Sequence, residues 1–412
     1  MRVWYSIGIW FYALAVRIAA CRKHKAKLWM AGRKESFSKL QSVFAHNTQP
    51  VIWFHAASLG EFEQGRPIIE KFRQQHPDWK ILLTFFSPSG YEIRKTYEHA
   101  DCIVYLPIDT PKNAQKLIRL VRPKIAIFIK YEFWYNYLNE LQKQGAQTYF
   151  VSTIFRPEQY FFKWYGGWFR SHLRMVEQVF VQTQESADLL RTIGLQNVTV
   201  AGDTRLDRVI EIAQTKKPYP IIEAFKGNSK LLVIGSSWPM DESLISQAIA
   251  KFPTFKFLFV PHEIDEAHLQ KLEHLISQPS VRYSTVDASH LQEITHIQVM
   301  IVDQIGHLSQ LYQYADIAYI GGGFGNGIHN ILEPTVFEIP VLFGANYRKF
   351  QEAHDLIALG ATTSITTADE LIPYLTATEQ QNAMYQNACL QAKNYVNSKK
   401  GATNYILSRF KN

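Results

Sequence analysis

Short, continuously apolar runs separated by amphipathic segments constrain this 412-residue chain more than any other feature. A run without polar alternation reads as a strand buried on both faces, and such strands belong to parallel sheets covered by helices. Residues 51–55 (VIWFH), 81–86 (ILLTFF), 102–106, 125–129, 148–151 and 178–182 form one series. A polar, helical stretch at 202–230 interrupts it, and the rhythm restarts at 231–234, 256–260, 299–302, 317–320 and 341–343. The pattern predicts an α/β chain of two tandem Rossmann-like domains with a cleft between them. The expected divisions are 1–35 (N-terminal segment), 36–205 (first domain) and 206–412 (second domain), with a terminal helix over 379–411 returning to the first domain. A composition of 47% hydrophobic and 19% charged residues excludes a disordered or simple coiled-coil chain. Cys21, Cys102 and Cys389 are too far apart for a zinc site or a disulfide framework.

The most apolar stretch is 3–20 (VWYSIGIWFYALAVRIAA), interrupted only by Ser6 and Arg17. As a helix it is about 27 Å long, barely a bilayer core. Seven cations follow between Arg17 and Lys34, a basic flank that places the remaining chain on the cytoplasmic side of an inner membrane. The segment is therefore expected to be a membrane anchor, spanning or interfacial. A buried docking helix is a second reading. A signal peptide is a third, opposed by Arg17 beside the small-residue box. The net charge of +8 suits an anionic partner without naming one.

Ligands of doubly wound sheets collect beyond the carboxyl ends of strands, so the loops there carry the functional argument. His55-Ala56-Ala57-Ser58-Leu59-Gly60-Glu61 offers small residues at a helix start and a carboxylate, Glu61, although Ser58-x-x-Glu61 is also a capping box. Lys130-Tyr131-Glu132 follows the fourth strand; Glu132 is a site candidate, and capping or ion pairing is its structural alternative. Gly235-Ser236-Ser237 can cradle a phosphate through backbone N–H and hydroxyl groups. His262 can donate to a phosphate or cap the next helix. The strongest signal is GGGFGNGIHN at 321–330, with five glycines in seven residues before a helix expected at Asn330. It matches neither a dinucleotide fingerprint nor a Walker A loop. It reads as an anion site, with Asn330-x-x-Glu333 as a capping box or a ribose contact. No metal-ligand spacing and no cofactor motif stand out.

Together these loops resemble the Kdo transferase family, which transfers 3-deoxy-D-manno-octulosonic acid (Kdo) from CMP-Kdo to lipid A on a GT-B glycosyltransferase fold. The likeness spans Gly32-Arg33-Lys34-Glu35-Ser36-Phe37, the 55–61 loop, TFFSPSG at 84–90, Leu106-Pro107-x-Asp109, Glu132-x-Trp134-x-Asn136, Gly202-Asp203-Thr204-Arg205-x-Asp207 and GGGFGNGIHNILEP. The resemblance implies Glu61 as general base and Glu132 as the second acidic residue of an inverting displacement. It implies an acceptor domain first, with Ser58, Gly60, Lys130 and Arg156 at the acceptor. A CMP-Kdo domain follows, with Gly235, Ser236, Ser237, His262, Gly321, Gly322, Gly323, Gly327, His329, Asn330, Glu333 and Lys349 on the donor. Its implied partners are CMP-Kdo, a lipid A precursor and the cytoplasmic membrane surface rather than nucleic acid, with no metal and no cofactor. The chain departs from the family where Pro-Arg-His becomes Pro261-His262-Glu263 and Asn-Phe becomes Lys349-Phe350. Phe155-Arg156 stands in place of a longer family stretch. The alternatives are another GT-B enzyme using a UDP-sugar, and a non-enzymatic nucleotide-binding protein at the membrane.

Overall fold

The computed structural model describes residues 2–410. The chain forms two compact units, one reaching to Asp207 and including the residues from Gly401 onward, the other Arg208–Lys400. The first carries strands β1 (Val51–Ala56), β2 (Lys80–Phe85), β3 (Cys102–Tyr105), β4 (Ile125–Ile129), β5 (Gln147–Thr153), β6 (Gln178–Val181) and β7 (Val198–Val200). They pair in the order β3-β2-β1-β4-β5-β6-β7, every pair parallel. The second carries β8 (Lys230–Ser237), β9 (Phe255–Pro261), β10 (Ser280–Arg282), β11 (Val299–Ile301), β12 (Ile317–Ile320), β13 (Val341–Phe343) and β14 (Thr362–Ser364). Their order is β10-β11-β9-β8-β12-β13-β14, again wholly parallel.

The apolar runs become strands because both of their faces are covered. Ile52, Phe54, Ile81, Leu83, Ile125 and Ile127 pack into one core of the first unit, and Trp53, Leu82, Ala126 and Phe128 into another. Alternate residues thus point into different apolar layers, which removes any reason for polar alternation. Each sheet reverses its winding once, between β1 and β4 in the first unit and between β8 and β12 in the second. In open parallel sheets those reversals open crevices at the strands' carboxyl ends.

Two helical expectations need correction. The terminal segment is not one helix but three, Ala368–Gln380, Ala383–Lys399 and Ala402–Leu407. Gly401 makes the last break with φ +99°, a left-handed conformation suited to glycine. Asp207 accepts from the Gly401 and Thr403 N–H groups, each at 2.6 Å, and so fastens the final helix to the first unit. At the other end, helix Arg2–Ala19 is separated by a turn from His24–Phe44. No described helix is long and apolar enough to cross a membrane, so the spanning form of the anchor is excluded for them. Arg17 sits in the helix's last turn, and Tyr5 is drawn into the protein, its hydroxyl donating to Asp109 Oδ2 at 2.6 Å.

Segment 32–37 owes its residue types to packing. A Cβ on Gly32 would lie 2.2 Å from the Tyr105 ring, and Ser36 Oγ donates to Tyr105 O at 2.8 Å. Arg33 lies between them, its guanidinium 3.5 Å above the Trp29 ring and donating to Phe86 O and Leu106 O just beyond β2 and β3.

Candidate active site

In the first unit the carboxylates gather at the β1/β4 reversal. His55, one residue before the end of β1, is fully buried. Its Nδ1 lies 2.8 Å from Thr84 Oγ1, and its Nε2 lies 3.1 Å from Glu132 Oε2. Trp134 Nε1 donates to the same Glu132 oxygen at 2.7 Å, while Trp53 Nε1 donates to Thr84 Oγ1 at 2.8 Å. Glu132 is thereby fixed by a chain of buried polar groups running through the sheet.

Glu61 stands in the first turn of helix Leu59–Gln75, where its Oε2 accepts from Ser58 N at 2.9 Å and contacts Ser58 Oγ at 3.4 Å. The capping contact exists, and it leaves Oε1 unassigned. Burial raises the Glu61 pKa, and the negative Glu132 raises it further; His55, the Ser58 N–H and Lys130 pull the other way. Two carboxylates thus share one field, one of them held by Trp and His donors, which perturbs Glu61 beyond what a capping contact alone would do. Beside them, Lys130, just after β4, has the left-handed φ of +62°, a strained conformation for a non-glycine residue. Arg156 is exposed and lowers the pKa of Tyr131, whose own burial raises it. A Cβ on Gly60 would meet nothing within 4 Å, so space remains open above the helix start.

In the second unit the β8/β12 reversal brings the two glycine-bearing loops into contact. A Cβ on Gly321 would lie 2.2 Å from Ser236 O, and one on Gly323 would lie 2.5 Å from Gly344 Cα. Those two glycines are therefore required for backbone packing. Gly322 and Gly327 are required for φ values of +91° and +129°. Ser236 also sits at φ +53°, and Ser237 Oγ donates to the buried Glu242 at 2.8 Å. Asp241 ties the loops together: it accepts from Gly322 N at 3.0 Å, Trp238 N at 3.0 Å and Tyr319 Oη at 2.7 Å. Asn346 holds the far side, donating through its backbone to Gly323 O and through its side chain to Gly325 O, both at 2.7 Å. Lys349 is exposed three residues further along that loop.

Asn330 does not open a long helix. The helix it precedes, Leu332–Thr335, has four residues, too few to build a useful dipole. Asn330 instead bonds Glu333 through Nδ2 at 3.0 Å and Leu332 N through Oδ1 at 3.2 Å. His262, the residue after β9, is an exposed ring stacked on Trp238 at 4.7 Å and on His329 at 4.5 Å between centroids. Thus Glu61 and Glu132 share one locus, and Ser236, Ser237, His262, His329 and the glycines share another. Arg156 and Lys349 stand apart as exposed loop cations.

Sequence reasoning did not assign Thr84, Trp134, Trp238 or Asp241 a place in these loci, although Trp134 lay in the Glu132-x-Trp134-x-Asn136 motif. Thr84 also had a visible signal, a polar residue inside ILLTFF. It also found no metal-binding spacing, whereas the fold brings ligand atoms of Glu263, Asp265 and His268 within 4.8 Å of one another. His268 Nε2 is already bonded to Glu242 at 2.9 Å, and Asp265 caps the helix Glu266–Leu275.

Comparison with known proteins bears on both units. Residues 31–208 match the 3-deoxy-D-manno-octulosonic-acid transferase (kdotransferase) family. The chain is similar to the 3-deoxy-D-manno-octulosonic acid transferase of Chlamydia trachomatis, 26% identical over 74% of this chain and 72% of the relative. The Aquifex aeolicus enzyme of the same name is 27% identical over 80% of this chain and 86% of its own. Among solved structures, Acinetobacter baumannii MurG is similar with a TM-score of 0.54 at 11% identity, covering 87% of this chain and 98% of its own. The UDP-GlcNAc 2-epimerase of Neisseria meningitidis has a TM-score of 0.53 at 15% identity, covering 84% and 99%. At such identities the structures establish the GT-B fold and nothing about substrate.

Proposed function

The chain belongs to the Kdo transferase family, and from that premise we propose that it transfers Kdo from CMP-Kdo to a lipid A precursor, with Glu61 as general base. It is a glycosyltransferase of lipopolysaccharide core biosynthesis. The observation that carries the assignment of the base is the Glu61–Glu132 pair at the β1/β4 reversal, where Glu132 is held by His55 and Trp134 and its charge raises the Glu61 pKa. A carboxylate so raised is a stronger base than an exposed one once ionised.

In this reading Glu61 takes the proton of an acceptor sugar hydroxyl. The hydroxyl oxygen attacks the anomeric carbon of Kdo, forming the new glycosidic bond with inversion. The bond from that carbon to the phosphate oxygen breaks, and CMP leaves with the electron pair. Backbone N–H groups and hydroxyls of Ser236, Ser237 and the glycine loop are suited to meet the leaving phosphate, since preorganised donors stabilise charge that develops in the transition state. Lys130 is the cation nearest the Glu61 field, suited to the carboxylate of Kdo or a phosphate of the acceptor.

A lipid acceptor is supported by the N-terminal helices. Trp10, Leu14, Arg17, Trp29, Arg33 and Lys34 line a cavity of about 470 Å³ that brings apolar and cationic side chains together. Burial pushes the Arg33 pKa down to about 9, so it stays charged at neutral pH, and no carboxylate faces it among the described residues. Such a surface fits a phosphorylated amphiphile at the cytoplasmic face of the inner membrane.

Incubation of the full chain with CMP-Kdo and a lipid A precursor, read by mass spectrometry, should add the mass of Kdo. UDP-sugars should be inert. Glu61→Gln keeps an acceptor for the Ser58 N–H and removes the base, so it should lower kcat by about 10²–10⁴-fold while CMP still binds. Near-normal transfer by that variant would remove Glu61 from the base role.

A further inference from the structure

Around the glycine loop of the second unit, three rings form one assembly. Trp238 Nε1 donates to His329 Nε2 at 3.1 Å, joining the two rings edge to edge. His262 lies over both, at interplanar angles of 27° to Trp238 and 28° to His329. The His329 ring rests against Gly322, where a Cβ would lie 3.3 Å from Nε2. An indole nitrogen can only donate, so the imidazole nitrogen it meets must carry a lone pair. That fixes the proton of a neutral His329 on Nδ1. No acceptor for Nδ1 occurs among the described residues.

We propose that Trp238 is a positioning residue of the donor half-site: by occupying His329 Nε2 it commits His329 to the neutral Nδ1–H form and leaves that N–H to bond an anionic phosphate oxygen. The proposal rests on the assignment of the second unit to the nucleotide donor. Its physical content is a donor whose protonation does not vary across the working pH range. An imidazolium would direct Nε2–H at the indole N–H, and the resulting repulsion holds the ring neutral. Burial and the neighbouring His262 act in the same direction and lower the His329 pKa to about 4. Among the other titratable groups around these loops, Asp241 is turned onto Gly322 N, Trp238 N and Tyr319, Glu333 is engaged by Asn330, Glu242 by Ser237 and His268, and Glu263 and Lys349 are exposed. None of these carboxylates is bonded to His329.

The test combines histidine-labelled long-range ¹H–¹⁵N spectra with donor kinetics. Wild type should show His329 as the Nδ1–H tautomer, with the Nδ1 resonance moving when CMP or inorganic phosphate is added. Trp238→Phe keeps an aromatic ring for the stack and removes the donor. It should give mixed tautomers, a His329 pKa higher by about one pH unit (the worth of one hydrogen bond), and a donor KM raised about 5–10-fold with kcat changed less than about twofold. Trp238→His restores a ring N–H and should recover most of the loss. His329→Asn places an N–H donor near Nδ1 and should retain nucleotide binding, whereas His329→Gln should lose it. If the ring serves packing alone, Trp238→Phe will match wild type in tautomer and KM, and the proposal falls. It falls equally if neither CMP nor phosphate perturbs His329 Nδ1. A response to phosphate but not to CMP would keep the anion donor and overturn the nucleotide assignment instead.

Discussion

At the scale of single residues, the first unit's chemistry turns on how one carboxylate changes another. Glu132 is negative and raises the Glu61 pKa. Neutralising it must therefore lower the Glu61 pKa, so less alkali is needed to ionise the base. The acid limb of kcat/KM should move to lower pH in Glu132→Gln, with the plateau reduced no more than about tenfold, roughly 1.4 kcal/mol. A pH–rate profile over the acid limb checks this; a limb that stays put would show that Glu61 titrates independently of Glu132. The variant retains an oxygen for the Trp134 indole, so a gross rearrangement of the network is not expected. Little of this coupling was legible beforehand. Ser58-x-x-Glu61 announced a cap, and the cap is there, but the field at Glu61 comes from a residue 71 positions away, delivered by strand pairing. Sequence spacing carries i to i+3 relations within a helix, while relations across a sheet depend on which strands become neighbours.

At the scale of elements, the strands were the readable part for a definite reason. A strand covered on both faces favours apolar residues at nearly every position, and 51–55, 81–86 and 125–129 show that directly, with His55 and Thr84, bonded to each other, as the buried polar exceptions. Three strands escaped notice: β7, β10 and β14, each of three residues, and each the outermost strand at one end of its sheet or, for β7 and β14, the last in winding order. They are partly exposed, so no apolar run marks them. Asp109 shows the converse, a polar residue whose structural role was hidden. It accepts from Asn136 N and Tyr137 N at 3.1 Å each, capping helix Tyr135–Gln144, and it receives the Tyr5 hydroxyl of the N-terminal helix. Its burial raises its pKa from 3.8 to about 6, while the Tyr5 hydroxyl and the amide donors oppose the rise. The folded state therefore holds this proton more tightly than the unfolded chain, and Asp109 ionisation erodes stability as pH climbs from about 4 to about 6. Tyr5→Phe removes a donor to the charged form. That raises the folded-state pKa further, so the variant's stability deficit should appear above about pH 6 and grow to about 1.5–3 kcal/mol at higher pH, read as thermal or urea unfolding at a series of pH values. A deficit independent of pH would mean that Tyr5 contributes through its aromatic contacts with Tyr135 and Trp168 alone.

At the scale of the whole molecule, the net charge of +8 and the exposed apolar surface have to be considered together. Trp4 is 73% exposed, Trp10 59% and Phe11 58%, although each belongs to a helix held to the protein by Tyr5. Trp164 is 94% exposed, in a loop four residues before Trp168, which packs on Tyr5. The apolar character that suggested an anchor is thus divided, with one side docked and the other open, and the open side is extended by a loop the N-terminal sequence gave no hint of. Cations from Arg17 to Lys34 border it. Interfacial binding draws on both terms: several kcal/mol from inserting large side chains, at about 1.5–3 kcal/mol each when fully buried, and about 1 kcal/mol per cation near an anionic surface. The two respond differently to salt, since a Debye length of about 3 Å at 1 M screens the charges and leaves apolar insertion intact. The full chain should therefore bind vesicles containing phosphatidylglycerol, and binding should weaken but persist at 1 M salt. Trp4→Glu combined with Trp164→Glu should cut vesicle partitioning by about tenfold or more while leaving Kdo transfer to a detergent-dispersed acceptor within about twofold, because neither residue lines the cavity of the N-terminal helices or belongs to the Glu61 locus or the glycine loops. Sedimentation with vesicles and the mass-spectrometric transfer assay separate the outcomes. Unchanged partitioning would remove the exposed aromatics from membrane binding, and lost transfer in detergent would place them at the acceptor itself.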